Sequence, residues 1–178
     1  MNRLARVASL LCVTACMQRA AAADGIETAG DVLMYALPMA AFGATFAMED
    51  DREGSIQFLK SFGAAELVMQ GLKEITDKRR PDGDCCRSFP SGHTSRAFAS
   101  AAFIHRRYGL RHAIIPYVAA GFTGVSRIHA ERHFVEDVVA GAAIGIASAF
   151  LLASERQTVV ATPFVEPGAY GLAVSAVW

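Results

Sequence analysis

The chain has 178 residues, of which 53% are hydrophobic, and its 17 basic and 17 acidic residues give a formal net charge of zero. This length allows one domain with a buried core, and the mean hydropathy of +0.30 is higher than an ordinary soluble domain requires. The composition excludes a disordered chain, and a balanced charge without a basic stripe argues against a nucleic-acid-binding protein.

The first 23 residues have the pattern of a signal peptide. Two arginines precede the apolar run 7–16, which has the length of a signal-peptide core. The alanines that end at Ala23 supply the small side chains that signal cleavage requires. We therefore expect a cleaved signal peptide at residues 1–23 and an exported protein. Two alternatives stay open, a retained N-terminal anchor and a lipoprotein that carries its lipid on Cys16.

Five segments have apolar or amphipathic patterns that predict helices. They are 32–48, 55–73, a segment that begins near Ser91 or Thr94 and ends at Tyr108, 113–125, and 133–153. The polar segment 76–92 contains two prolines and two glycines, which predicts a loop between the second and third helices. We therefore expect residues 24–156 to form one helical domain.

Two of these segments are almost long enough to cross a membrane, for which about 20 apolar residues are needed. The uncharged run 32–48 has seventeen residues, and the uncharged run 138–153 has sixteen. Buried core helices have similar lengths, so the pattern leaves both environments open. We favour a membrane-associated protein of the cell envelope over a freely soluble one.

The tail 157–178 has a different composition, rich in valine, threonine and aromatic residues on both sides of Glu166-Pro167-Gly168. This pattern predicts a short β-hairpin, with a loose tail as the alternative. An isolated hairpin is only marginally stable, so we expect it to lie on the helices or on a partner.

Two adjacent cysteines, Cys85 and Cys86, lie in the predicted loop. Exported proteins form disulfides, but adjacent cysteines close a strained ring, so a bridge between these two is not favoured. We expect both to be loop residues without a role in the chemistry.

Three motifs supply the groups that are needed to bind a phosphate and cleave its ester. The first motif is Lys73 followed, after six residues, by Arg80-Pro81, and the second is Pro90-Ser91-Gly92-His93. The third is Ser126-Arg127 followed, after five residues, by His133 and, after three more, by Asp137. Phosphate monoesters are dianions, so their hydrolysis needs neutralising charge, an aligned nucleophile and a proton for the leaving oxygen.

Five of these residues are suited to binding the phosphate. Arg80 and Arg127 can each direct two donors at phosphate oxygens, and Lys73 adds a compact charge. Ser91 and Gly92 form a turn at a helix start, where backbone N–H groups point outward and a glycine permits close approach. We predict that these five residues bind the phosphate group.

The remaining three residues are suited to the bond-breaking steps. His133 and Asp137 are four residues apart, so on a helix they share one face, and the carboxylate can orient the imidazole. His133 then attacks phosphorus and forms a phosphohistidine, while His93 protonates the leaving oxygen and later activates water. This chemistry needs no metal and no cofactor.

Together the three motifs resemble those of the type 2 phosphatidic acid phosphatase superfamily, which also contains bacterial non-specific acid phosphatases and vanadium haloperoxidases. The resemblance covers residues 73–137 in motif and about 32–153 in helix layout. It implies an all-α bundle, here of about five to six helices, with the site at one end. It also implies a nucleophile at His133, a general acid at His93, an orienting Asp137, and phosphate contacts at Lys73, Arg80, Ser91, Gly92 and Arg127.

We therefore predict a metal-independent phosphatase of the cell envelope, in the periplasm or in a membrane with its site facing the periplasm. Its expected partner is a phosphorylated lipid, such as phosphatidic acid or an isoprenyl pyrophosphate, or a small phosphomonoester. Three alternatives stay open: a non-specific periplasmic acid phosphatase, a vanadate-dependent haloperoxidase, and a non-catalytic envelope protein that binds lipid phosphate.

Overall fold

The computed structural model contains a bundle of five helices followed by a two-stranded hairpin. It describes residues 3–49, 52–84, 86–156, 158–166 and 169–177, with the backbone alone for 3–24 and most of the hairpin. The elements are α1 (Arg3–Met48), α2 (Glu53–Thr76), α3 (Gly92–Tyr108), α4 (Leu110–His129), α5 (Val135–Leu152), β1 (Thr158–Glu166) and β2 (Ala169–Val177). The predicted helical bundle with a C-terminal hairpin is confirmed.

Helix α3 is the centre of the bundle and packs against the four other helices. Its many alanine and serine side chains are small, so neighbouring helices approach it closely. The largest of its fully buried side chains, Phe103, meets Phe58 of α2 edge to face, with 5.1 Å between ring centroids. This aromatic contact stabilises the half of the core that lies away from the start of α3.

Two glycines of α5 bring its backbone into direct contact with the backbone of α3. A Cβ atom added to Gly145 would lie 2.5 Å from the carbonyl oxygen of Ser95 and 2.6 Å from the amide nitrogen of Ala99. A Cβ added to Gly141 would overlap the carbonyl oxygen of Ser91. Any larger residue at either position would therefore push the two helices apart.

The order of the helices places all three motifs at one end of the bundle. The first motif follows the end of α2, the second begins α3, and the third runs from the end of α4 into α5. Ser91 is the N-cap of α3, and Gly109, with φ of 90°, ends that helix as predicted. Neighbouring helices that alternate in direction bring these helix ends together.

Large apolar side chains cover much of the outer surface of the helices. Examples that are more than 70% exposed are Met39, Leu67, Ile75, Ile115 and Leu151. Two segments, Gly25–Met48 of α1 and Val135–Leu152 of α5, are long and apolar enough to cross a membrane. This surface is unusual for a protein that is surrounded by water.

Two further details concern the C-terminal hairpin and the loop cysteines. Within the described residues the hairpin makes no contact with the helices, and that it packs on the helices or on a partner stays a prediction. Cys86 is disulfide-bonded. Cys85 lies outside the described residues.

The glycine contact gives a first prediction. Gly145→Ala should lower the free energy of unfolding by about 2 kcal/mol, because the new methyl group meets backbone atoms that cannot rotate away. Thermal unfolding of the purified protein measures the effect. Gly121→Ala in α4 is the matched control, since nothing lies within 4 Å of its Cβ position. Equal unfolding temperatures for the two variants would contradict the role given to Gly145.

Candidate active site

A cavity of about 440 Å³ opens at the end of the bundle where the motifs meet. Its lining includes six of the eight predicted site residues, Lys73, Arg80, Gly92, His93, Arg127 and His133. It also includes Glu27, Asp31, Met69, Gln70, Arg96 and Arg132. Residues that are up to 106 positions apart in the chain, from Glu27 to His133, therefore share one small space.

The other two predicted residues, Ser91 and Asp137, are buried behind the cavity wall. The Ser91 hydroxyl lies 2.9 Å from that of Thr94 and caps α3. Its backbone N–H donates to the carbonyl oxygen of Asp137 at 2.9 Å. Of the residues in this turn, only Gly92 and His93 line the cavity. The side chain of Ser91 therefore stabilises the turn that holds these two residues at the cavity.

His133 does not share a helical face with Asp137, because α5 begins two residues after His133. The carboxylate of Asp137 folds back and accepts a hydrogen bond from the N–H of Phe134, at 3.0 Å. Its distance to His133 Nδ1 is 3.8 Å, too long for a hydrogen bond. Among the described residues the buried Nδ1 has no hydrogen-bond partner, so a shift of about 1 Å would join the two groups.

Two residues that the motifs did not indicate hold the buried carboxylate of Asp137. Lys78 donates to it at 2.6 Å and Ser88 donates at 2.5 Å. Lys78 also pairs with Glu136 at 2.7 Å and lies 4.5 Å from the centre of the Phe134 ring. Both residues are in the predicted loop, where no periodic pattern tells which side chains turn inward.

Burial and positive charge keep His133 neutral. Burial lowers the pKa of His133 to about 4, and the nearby charges of Lys73 and Arg80 act in the same direction. A neutral imidazole has a free electron pair on one ring nitrogen, which a nucleophile requires. Because Nδ1 is enclosed on the side of Asp137, Nε2 is the nitrogen that is available to the cavity.

Positive charges crowd the wall of the cavity. Burial, together with the charges of Arg80 and Arg87, lowers the pKa of Lys73 to about 8. Its ammonium group donates to the carbonyl oxygen of Arg87 at 2.7 Å. The Nε of Arg80 is buried and has no hydrogen-bond partner within the described residues. These donors can be satisfied by an anion of the size of phosphate.

Two carboxylates of α1, which carry no motif, also reach the cavity. Asp31 Oδ1 lies 2.7 Å from Arg127 Nη1 and 2.9 Å from His93 Nε2. The carbonyl oxygen of Glu27 accepts from Arg127 Nη2 at 2.6 Å, and its side chain accepts from Arg132 Nε at 3.0 Å. Glu27 and Asp31 lie four residues apart on one helical face. The sequence around them has no feature that distinguishes them from ordinary surface carboxylates.

Comparison with known protein families agrees with this geometry. The model of the PAP2 superfamily matches residues 54–160 of the chain. The chain belongs to the PAP2 superfamily. The matched range begins in α2, contains all three motifs and ends in β1, and it confirms the resemblance that the motifs carry.

Curated proteins with similar sequences are named as lipid phosphatases. Lipid A 1-phosphatase of Porphyromonas gingivalis is 50% identical over 119 residues, which are 64% of this chain and 26% of that protein. Lipid A 4'-phosphatase of Helicobacter pylori is 29% identical over 171 residues, 86% of this chain and 85% of that protein. Phosphatidylglycerophosphatase B of Bacillus subtilis is 32% identical over 106 residues, 51% of this chain and 52% of that protein.

The chain therefore spans about a quarter of the Porphyromonas protein and about half of the Bacillus one. Two solved structures have the same fold. Aquifex aeolicus LpxE has a TM-score of 0.63 at 23% identity, over 72% of this chain and 83% of that one. The transmembrane PAP2-type phosphatidylglycerolphosphate phosphatase of Bacillus subtilis has a TM-score of 0.57 at 28% identity, over 74% and 73%.

The lowered pKa of Lys73 predicts how anion binding depends on pH. Lys73 loses its charge as the pH rises through about 8, so inorganic phosphate should inhibit less strongly above that pH. Lys73→Arg stays charged throughout this range. The inhibition constant of the wild type, divided by that of Lys73→Arg, should therefore rise above pH 8. The titration of phosphate itself affects both proteins equally, so it cancels in this ratio. A constant ratio would show that Lys73 does not contact the anion.

The contact between Lys78 and Asp137 predicts a loss of stability. Lys78→Met leaves a buried carboxylate without its charged partner, which should lower the free energy of unfolding by about 2–3 kcal/mol. Glu136→Gln is the control, because it removes only the exposed carboxylate that Lys78 also contacts. Unfolding temperatures of both variants test this, and equal shifts would contradict a special role for the buried pair.

Proposed function

We propose that the chain is a phosphatase that removes a phosphate group from a lipid through a phosphohistidine intermediate. The observation that carries this proposal is that His133, whose pKa burial lowers to about 4, lines one small cavity together with His93, Lys73, Arg80 and Arg127. A neutral nucleophile, an acid and several cations around one cavity match what transfer of a phosphoryl group requires.

In the proposed reaction, the phosphate dianion binds to Arg80, Arg127, Lys73 and the backbone N–H at Gly92. The electron pair of His133 Nε2 forms a bond to phosphorus while the bond from phosphorus to the leaving oxygen breaks. His93 gives that oxygen a proton. His93 then takes a proton from a water molecule, whose oxygen attacks phosphorus and releases His133 and inorganic phosphate.

Asp137 would support the nucleophile. Its carboxylate lies 3.8 Å from His133 Nδ1, and as His133 becomes bonded to phosphorus, its Nδ1–H gains positive character and attracts that carboxylate. A small movement on substrate binding would then complete the hydrogen bond. Lys78 and Ser88 keep the carboxylate within reach.

Two observations favour a lipid substrate over a small soluble ester. The helices expose large apolar side chains, and two segments are suited to crossing a membrane. The curated relatives are named for lipid A and phosphatidylglycerophosphate. We propose lipid A or a related lipid phosphate as the substrate, in a membrane with the cavity facing the periplasm. The signal peptide at residues 1–23 stays part of this proposal.

The experiment is a phosphate-release assay in detergent micelles that contain EDTA. Its panel holds lipid A, phosphatidylglycerophosphate, phosphatidic acid, undecaprenyl pyrophosphate and p-nitrophenyl phosphate. We expect release from at least one lipid at a higher kcat/KM than from p-nitrophenyl phosphate, and inhibition by vanadate. Preference for the small ester would instead support the non-specific acid phosphatase.

Substitution of the nucleophile tests the mechanism. His133→Ala should lower kcat by roughly 10³-fold or more, because no other described group can take its place. His129→Ala is the matched control, since His129 is exposed at the end of α4 and does not line the cavity. Acid quenching during turnover should trap a phosphorylated wild-type protein and no phosphorylated His133→Ala. Activity of His133→Ala equal to that of the wild type would overturn the mechanism.

A further inference from the structure

Asp31 occupies a particular place in the cavity. A single oxygen of its carboxylate, Oδ1, lies 2.9 Å from His93 Nε2 and 2.7 Å from Arg127 Nη1. The side chain of Asp31 is about half exposed, whereas the side chain of Arg127 is only 3% exposed. Asp31 therefore reaches from α1 to the beginning of α3 and the end of α4 at the same time.

The hydrogen bond to Asp31 distinguishes the two ring nitrogens of His93. A carboxylate can only accept, so Nε2 carries a proton whether the ring is neutral or charged. The other nitrogen, Nδ1, has no hydrogen-bond partner within the part of the chain that is described. The proton that His93 can give away is therefore the one on Nδ1, and it is present only when the ring is positively charged.

Charged and titratable side chains from several elements line the cavity around His93. The groups that line the same cavity are Arg127 of α4, Arg96 of α3, Lys73 of α2, Arg80 of the loop, Arg132 and His133 before α5, and Glu27 and Asp31 of α1. Burial and the charge of Arg127 lower the pKa of His93, while the hydrogen bond and the charge of Asp31 raise it. Asp31 is thus the carboxylate in this cavity that favours the protonated ring by direct contact.

We propose that Asp31 is a positioning residue that favours the protonated form of His93 and directs its Nδ1–H to the leaving oxygen. This inference rests on the proposed phosphatase function. After the proton moves from Nδ1 to the leaving oxygen, the neutral ring keeps its Nε2–H bond to Asp31. Its Nδ1 then has a free electron pair, which can accept a proton from the water that hydrolyses the intermediate.

Asp31→Asn tests this in the full chain, because asparagine has nearly the same shape, can still accept a hydrogen bond and lacks the charge. The pKa of His93 should fall further, so the alkaline limb of kcat/KM should move to lower pH by about one unit. Glu27→Gln is the matched control. Glu27 lies one turn away and contacts Arg127 and Arg132 but not His93. The loss of its charge should therefore leave the alkaline limb of kcat/KM at the same pH.

The nature of the leaving group provides a second measurement. An alkyl alcohol leaves poorly and needs the proton, whereas p-nitrophenolate is stable without it. Above the alkaline limb, Asp31→Asn should therefore lose about tenfold more activity on an alkyl phosphate than on p-nitrophenyl phosphate. Asp31→Glu, which keeps the charge, should restore part of the loss.

An unmoved alkaline limb, or equal losses on both substrates, would overturn the inference while the wild type remains an active phosphatase. Absence of phosphate release by the wild type would instead contradict the proposed function. If Asp31→Asn does not fold, Asp31→Ser provides the same comparison. Nitrogen NMR of labelled His93 measures its pKa without turnover, and an unchanged value in either variant would also overturn the inference.

Discussion

The candidate site depends on one junction, where the beginning of α3 meets the first turns of α5. The N–H of Ser91 donates to the carbonyl oxygen of Asp137, and the absence of a side chain at Gly141 lets the two backbones touch. This places the turn that carries Gly92 and His93 directly beside His133. The residues proposed as acid and nucleophile, which are 40 positions apart in the chain, then lie on elements that are held by backbone contacts rather than by flexible side chains.

Around this junction, two of the positive side chains that line the cavity form no ion pair with a carboxylate within the described residues. Lys73, Arg80, Arg96, Arg127 and Arg132 line the cavity. Arg96, Arg127 and Arg132 pair with the carboxylates of Glu27, Asp31, Glu66, Asp82 and Asp84. Lys73 and Arg80 are the two that form no such pair among the described residues. The lowered pKa values of Lys73 and His133 are consequences of this crowding and of burial. A bound dianion would relieve the repulsion between these charges.

Several features of the site could be predicted because they are local. Six of the eight motif residues line the cavity, since fixed spacings near helix ends keep side chains together. The residues that sequence reasoning missed act over long separations: Lys78 meets Asp137 across 59 positions, and Asp31 meets Arg127 across 96. The helix predicted from His133 begins two residues later, at Val135, because the carboxylate of Asp137 reaches back to the Phe134 N–H and caps the helix there.

The sequence by itself was enough to determine the helical class, the loop between α2 and α3, the C-terminal hairpin and the groups that the proposed chemistry needs. These features could be determined because periodicity and turn residues act over a few positions. Only the tertiary structure decided which carboxylates contact those groups. It set His133 apart from Asp137, tied Asp137 to Lys78 and joined Asp31 to His93. Such contacts follow from how the helices pack, and the packing depends on glycines and small side chains whose effect appears only when two helices meet.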